Sequence, residues 1–301
     1  MNNIFLDERA KNDIDAQVNK VLRGLDYPEP PLQLEDVRLL LALDKQYYSS
    51  TNDGPLQEYV SKIKVAGKQI IHRPQLMLDA VKKFDLKALY LPDQKRILID
   101  EELPKPKQRW SEAHEYTHSI IPWHSGLTLG DDKQTLSLFC HEQIEHEANY
   151  ATGRLLFLQE KFDSVASQTP MSIKLAQQLS KLFSNSLTTT LWRLVELHSA
   201  PAVGLIGCHP HRPEEGKVPI RYFVTSRTFQ QRFSNISEST VLENVKSYCG
   251  YSTRGPLGGA EIVLDDSSGS CHRFEFETFY NQYDALTLGV YRGAKSIVIV
   301  A

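Results

Sequence analysis

His114-Glu115-Tyr116-Thr117-His118 is an H-E-x-x-H run, and it constrains the fold of this 301-residue chain more than any other segment. Residues four apart share one face of an α-helix. A helix through these five therefore presents two imidazole nitrogens together, with Glu115 one position round. Two histidines do not complete a catalytic site, since zinc in such sites takes three protein ligands and keeps a fourth place for water. The fold must then bring a third ligand to this face from another element. An ion held in this way lowers the pKa of its water to about 7, and a carboxylate placed like Glu115 can take the proton as the water attacks a carbonyl. The pattern points to metal-dependent hydrolysis of a peptide bond.

The flanks carry start and stop signals. Leu89–Pro92 and Arg96–Asp100 read as a short hairpin or edge strand broken at Pro92 and Asp93, and Pro104 and Pro106 punctuate a loop. Ser111 is the expected N-cap of the H-E-x-x-H helix, about three turns long, and Pro122 should end or kink it. The next helical stretch, Leu136–Leu158, is the expected source of the third ligand. Its apolar residues Ile144, Ala148, Ala151, Leu155 and Leu158 recur at helical spacing. Glu145 and Glu147 flank that face on opposite sides, so periodicity does not choose between them. Asn149 lies one turn beyond Glu145, where its amide could orient a ligand, whereas Glu147 has Ala151 there. This favours Glu145, with Glu147 the runner-up.

The run Arg109-Trp110-Ser111-Glu112-Ala113 leading into H-E-x-x-H, followed by Glu145-His146-Glu147-Ala148-Asn149-Tyr150-Ala151 and Leu155-Leu156-Phe157, resembles the ImmA/IrrE-type metallopeptidases. Pro30-Pro31 ahead of a helix near Leu34–Leu43 fits the same family, so the likeness spans about residues 25–200. Phe157-Leu158 stands where the family has Met-Pro, and Thr152-Gly153 falls among its small apolar positions. The resemblance implies a zincin-like α+β domain in which His114, His118 and Glu145 hold zinc, with manganese as the alternative ion, and Glu115 is the catalytic carboxylate. It also implies action on regulatory proteins, transcriptional repressors among them, in mobile-element or stress responses.

Composition sets the remaining bounds. Hydrophobic residues at 41% and charged residues at 24% describe an ordinary globular chain with ample core for two domains. A net charge of −3 offers no bulk attraction to nucleic acid. Met1–Arg9 lacks the basic start and apolar core of a signal peptide, and no apolar run approaches the ~20 residues that span a membrane. Cys140, Cys208, Cys249 and Cys271 are far apart with no C-x-x-C, which speaks against a zinc ribbon or a disulfide framework. The cytoplasm is the expected compartment.

The expected fold class is α+β, divided into a mainly helical catalytic domain with a small sheet (1–199) and a C-terminal α+β domain (200–301). Residues 1–24 read as a polar helical lead, and helical patterning recurs at Leu34–Leu43, Gln75–Phe84, Ser172–Phe183 and Leu187–His198, with Ser186 an N-cap. From Ala200 the pattern changes to strands at 203–206, 220–224, 260–264, 272–279, 285–290 and 296–300. Helices near 228–233 and 240–249 interrupt them, and Asp265–Gly269 is a hairpin turn. A mostly antiparallel sheet follows, of the kind found in the GAF-type sensor domains that some family members carry.

Other clusters read more simply. Tyr150, His141 and His124 could polarise a substrate carbonyl, but structural roles are favoured for each. Cys208-His209-Pro210-His211 lacks a partner pair and reads as a surface turn. The two helices across 172–198 superficially resemble a helix-turn-helix, yet Lys174, Lys181 and Arg193 are too few for a basic recognition face, so packing on the catalytic domain is expected. Phe274, Phe276, Phe279, Tyr280 and Tyr283 read as core and rim of the C-terminal sheet. The expected function is a zinc-dependent endopeptidase acting on a protein substrate. The alternatives are a non-catalytic metal-binding regulator and a DNA-binding stress factor.

Overall fold

The computed structural model describes residues 3, 5–48, 88–91, 95–103, 105–124, 138–213 and 215–295. The expected helix at 75–84 and strand at 296–300 lie outside the described residues. Packing sorts the chain into two compact units, Leu6–Gln159 and Glu160–Ala301, the latter joined by Met1–Phe5. The fold class is α+β, as expected.

In the first unit, α1 (Glu8–Gly24) starts at Asp7, whose carboxylate accepts the Ala10 N–H. Ile14, Val18, Val21 and Leu22 form a buried stripe at helical spacing, so this segment is an amphipathic core helix packed on the helix Leu138–Leu156 rather than a polar lead. After α2 (Leu34–Leu40) come β1 (Asp44–Tyr48), β2 (Ala88–Leu91) and β3 (Arg96–Asp100). The sheet order is β1-β3-β2, with β1 parallel and β2 antiparallel to the central β3. Ile97, Leu98 and Ile99 are all buried, as a central strand between covered faces requires. Helices α3 (Lys105–Ile120) and α4 (Leu138–Leu156) follow, and α3 packs on β2, β3 and α4.

The first turn of α3 corrects the expected N-cap. The helix begins at Lys105, and Ser111 lies inside it. Pro106 occupies the first turn, where a missing N–H breaks no intrahelical bond, so this proline is compatible with a helix start; Pro104 lies outside the described residues. Pro122 does stop the helix: α3 ends at Ile120, and helical residues resume at 122–124. At the far end of α4, Leu158 and Gln159 adopt positive φ. The Gln159 N–H bonds to the Arg154 carbonyl at 3.0 Å, closing the helix there.

The second unit holds α5 (Glu160–Ala166), α6 (Ile173–Leu182), α7 (Leu187–Leu197), β4 (Ala202–Gly207), β5 (Ile220–Thr225), α8 (Arg227–Arg232) and α9 (Glu238–Tyr248). It ends with β6 (Gly255–Asp265), β7 (Cys271–Tyr280) and β8 (Ala285–Ala294). All five strands pair antiparallel in the order β5-β4-β8-β7-β6. Every residue of β4 is buried because both sheet faces are covered. Val203 and Leu205 join Phe229, Phe233, Val241, Val245, Phe274 and Phe276 in one core. Gly204 instead lies against Val195 of α7.

The helix pair α6–α7 packs on this sheet. The compact units part at Gln159/Glu160. Glu277 on β7 fastens the start of α6 by accepting the Ile173 N–H at 2.6 Å. Asn3 joins the same unit, its side chain bonding both the N–H and the carbonyl of Thr225.

Candidate metal centre

Two small-residue helix faces build the site. Ala113 on α3 and Ala148 and Ala151 on α4 are fully buried, which lets the backbones approach closely. Thr117 sets their register. Its hydroxyl reaches the His114 carbonyl at 2.7 Å, the Ala148 carbonyl at 3.2 Å and the Thr152 hydroxyl at 3.1 Å. This buried polar contact lies one residue before His118 and three after Glu145, so it fixes which faces of the two helices meet.

Where they meet, His114, His118 and Glu145 converge. The two Nε2 atoms are 3.1 Å apart. Glu145 Oε2 lies 3.2 Å from His114 Nε2, and Oε1 lies 3.6 Å from His118 Nε2. A tetrahedral zinc shell with bonds of 2.0–2.1 Å has ligand–ligand edges of about 3.3 Å. These separations use both carboxylate oxygens; with one ligand atom taken from each residue, all lie within 4.8 Å of one another. Two imidazoles and a carboxylate thus gather closely enough to converge on a zinc-sized ion. The Glu145 side chain is 40% exposed, which leaves the cluster open on one side.

The surrounding charges are tuned. In the metal-free protein burial opposes protonation of His114, but the adjoining Glu145 and Glu115 carboxylates outweigh it and raise its pKa. Burial also pushes Glu115 up to about 7, with the Glu145 charge adding and His114 and the Tyr90 N–H opposing. A carboxyl group that titrates near neutrality can both accept and return a proton. Glu112, buried on α3, accepts from Lys45 Nζ at 2.8 Å and from the Tyr116 hydroxyl, which ties β1 to the same helix.

Glu147 faces elsewhere. Its Oε2 accepts Trp123 Nε1 at 2.6 Å and lies 3.1 Å from His124 Nε2, while Oε1 accepts Gln143 Nε2 at 3.0 Å. Burial opposes its ionisation, but the bonds from His124, Trp123 and Gln143 prevail and lower its pKa. Asn149 is exposed and does not account for the distinction. The separation comes from Trp123 and His124. A Trp-His pair just after the helix-stopping Pro122 was the available signal for it.

Of the other candidate donors, His124 is fully buried. Tyr150 is committed to Asp15 of α1 at 3.2 Å beside Arg154, a structural role. The His141 side chain lies outside the described residues. The Cys208–His211 segment is a fixed turn, with His209 buried. His209 Nε2 lies 3.1 Å from the Ser252 carbonyl and His211 Nε2 lies 3.0 Å from the Cys249 carbonyl. Cys208, Cys249 and Cys271 are free thiols. Phe274 and Phe276 are core and Tyr283 is exposed rim. Among the described residues no helix is long and apolar enough to cross a membrane.

Residues 69–195 match the sequence profile of the IrrE N-terminal-like domain, Peptidase_M78. A transcriptional regulator from Mycobacterium tuberculosis, of solved structure, is similar over 94% of this chain and 90% of that chain, with a TM-score of 0.52. At 14% identity that likeness is one of fold. Among curated proteins none matches the sequence.

Proposed function

From the match of residues 69–195 to the IrrE N-terminal-like (M78) peptidase family, we propose that this chain is a metal-dependent endopeptidase. Its site is His114, His118 and Glu145 as ligands with Glu115 as proton carrier, and zinc is the ion that suits this donor set. One observation carries the reading: ligand atoms of His114, His118 and Glu145 gather within 4.8 Å of one another, beside the buried carboxyl of Glu115. A bound divalent ion would supply Lewis acidity toward the scissile carbonyl and acidify a water. The Tyr90 N–H holds the Glu115 carboxylate. Glu115 takes the proton of the attacking water and returns it to the departing amide nitrogen.

The substrate is a regulatory protein, and the C-terminal sheet domain serves as a sensing or regulatory module. The family match over residues 69–195 and a fold shared with a transcriptional regulator support this part. The chain works in the cytoplasm. Glu115→Gln is the test. It should keep stoichiometric zinc and lose cleavage of the protein substrate by roughly 10²–10⁴-fold. Zinc retained with the biological response intact would instead make the chain a non-catalytic metal-binding regulator.

A further inference from the structure

Beyond the metal ligands lies a buried polar chain that the proposed reaction leaves without a role. The His124 N–H bonds to the Ile121 carbonyl at 3.0 Å, so the turn after α3 folds this histidine back against its own helix. Its ring centroid lies 5.1 Å from that of His118, and Nδ1 of one faces Nδ1 of the other at 3.0 Å. On its far side His124 Nε2 meets Glu147 Oε2 at 3.1 Å. Glu147 is itself pinned by Trp123 and Gln143. His124 is 0% and Glu147 5% exposed, so water does not share these bonds freely.

Proton bookkeeping gives the chain one direction. A His118 that offers the Nε2 lone pair to an ion carries its proton on Nδ1. That proton must be accepted by His124 Nδ1, which places the His124 proton on Nε2, aimed at Glu147. Each contact then has one donor and one acceptor, and the sequence ends on a carboxylate that can only accept.

We propose that Glu147 and His124 are positioning residues for His118: a carboxylate–imidazole relay that fixes the tautomer and ring rotation of one metal ligand and raises its basicity. The proposal rests on the metal site described above. It gives the two neighbouring glutamates of α4 different tasks, Glu145 at the ion and Glu147 behind the ligand. Partners of this kind are worth roughly 10–100-fold in metal affinity.

The test uses the full-length chain, zinc, and a competing chromophoric chelator at neutral pH. Glu147→Ala and His124→Phe should bind zinc roughly 10–100-fold more weakly, and Glu147→Gln, which keeps an acceptor oxygen, should recover part of that loss. Folded variants whose zinc affinity stays within about twofold of the unaltered protein would overturn the relay, even if their unfolding midpoints fall. A second measurement needs no variant. Long-range proton–nitrogen NMR of the zinc-loaded protein should show His118 protonated at Nδ1 and His124 at Nε2, and a His124 protonated at Nδ1 would overturn the proposal. Loss of zinc in Glu145→Ala with normal affinity in the Glu147 variants sinks the relay alone. No zinc binding by the unaltered chain sinks the metal site and the relay together.

Discussion

Glu115→Gln should stabilise the metal-free protein, and only at higher pH. In the folded metal-free state Glu115 titrates near 7 against an ordinary 4.5, chiefly because it is buried. Below about 4.5 the group is protonated in both folded and unfolded chains and costs nothing. As pH rises the unfolded chain releases the proton first, so the folded state loses ground until about pH 7, where both forms are ionised. The penalty then levels off at 2.303RT times the pKa displacement, about 3 kcal/mol. An amide at this position does not titrate, and its oxygen can still accept the Tyr90 N–H. The assay is urea unfolding in the presence of a chelator, in a Trp192→Phe background. The remaining tryptophans, Trp110 and Trp123, then report only on the unit Leu6–Gln159. Between about pH 4.5 and pH 8 the stability difference between Glu115→Gln and its parent should open by about 3 kcal/mol in the variant's favour. Parallel pH profiles would refute the reasoning. The stabilised variant is also the one expected to lose cleavage, as when an active site holds a group its fold alone would reject.

Thr117→Val keeps the shape of the contact between α3 and α4 but removes its hydrogen bonds; it should lower stability by about 1 kcal/mol in the same fluorescence assay. Asp15→Ala removes the 2.7 Å ion pair to the largely buried Arg154, and a loss of about 2 kcal/mol in that assay is expected after discounting for the 30% exposure of Asp15. In the second unit, a methyl group at Gly289 would sit 2.6 Å from the Phe276 ring and 2.9 Å from Val203. Gly289→Ala should cost about 1–3 kcal/mol, read from Trp192 fluorescence after Trp110 and Trp123 are replaced by Phe.

The C-terminal sheet was legible because period-two patterning and its turn residues agree. Strands read at 203–206, 220–224, 260–264, 272–279 and 285–290 all fall within observed strands, and the Asp265–Gly269 turn joins β6 to β7. Partners of the helices were not legible in the same way. The periodicity of α6 and α7 shows that each has one apolar face, but nothing local says which core receives it. Val195 against Gly204 on β4 decides that, through contacts that exist only once the sheet has formed. The polar appearance of residues 1–24 misled for a related reason. Four apolar residues spaced along 17 suffice for a buried stripe, however charged the rest of α1 is.

The site shows the same divide more sharply. His114, Glu115 and His118 need only a helix to share a face, so five consecutive residues announce them. Glu145 and Glu147 are two residues apart on another helix, both carboxylates, both flanking the same apolar stripe. Their different environments arise from Trp123 and His124, over twenty residues earlier, which engage one of the pair and leave the other beside the imidazoles. The residues within one turn of each glutamate carry no trace of that competition. Choosing Glu145 on the strength of Asn149 reached the carboxylate that stands beside His114 and His118, but by a neighbour that is exposed. A carboxylate already accepting three donors has little lone-pair capacity left to bind an ion. The better question for a sequence is therefore which of two acids other donors have already claimed.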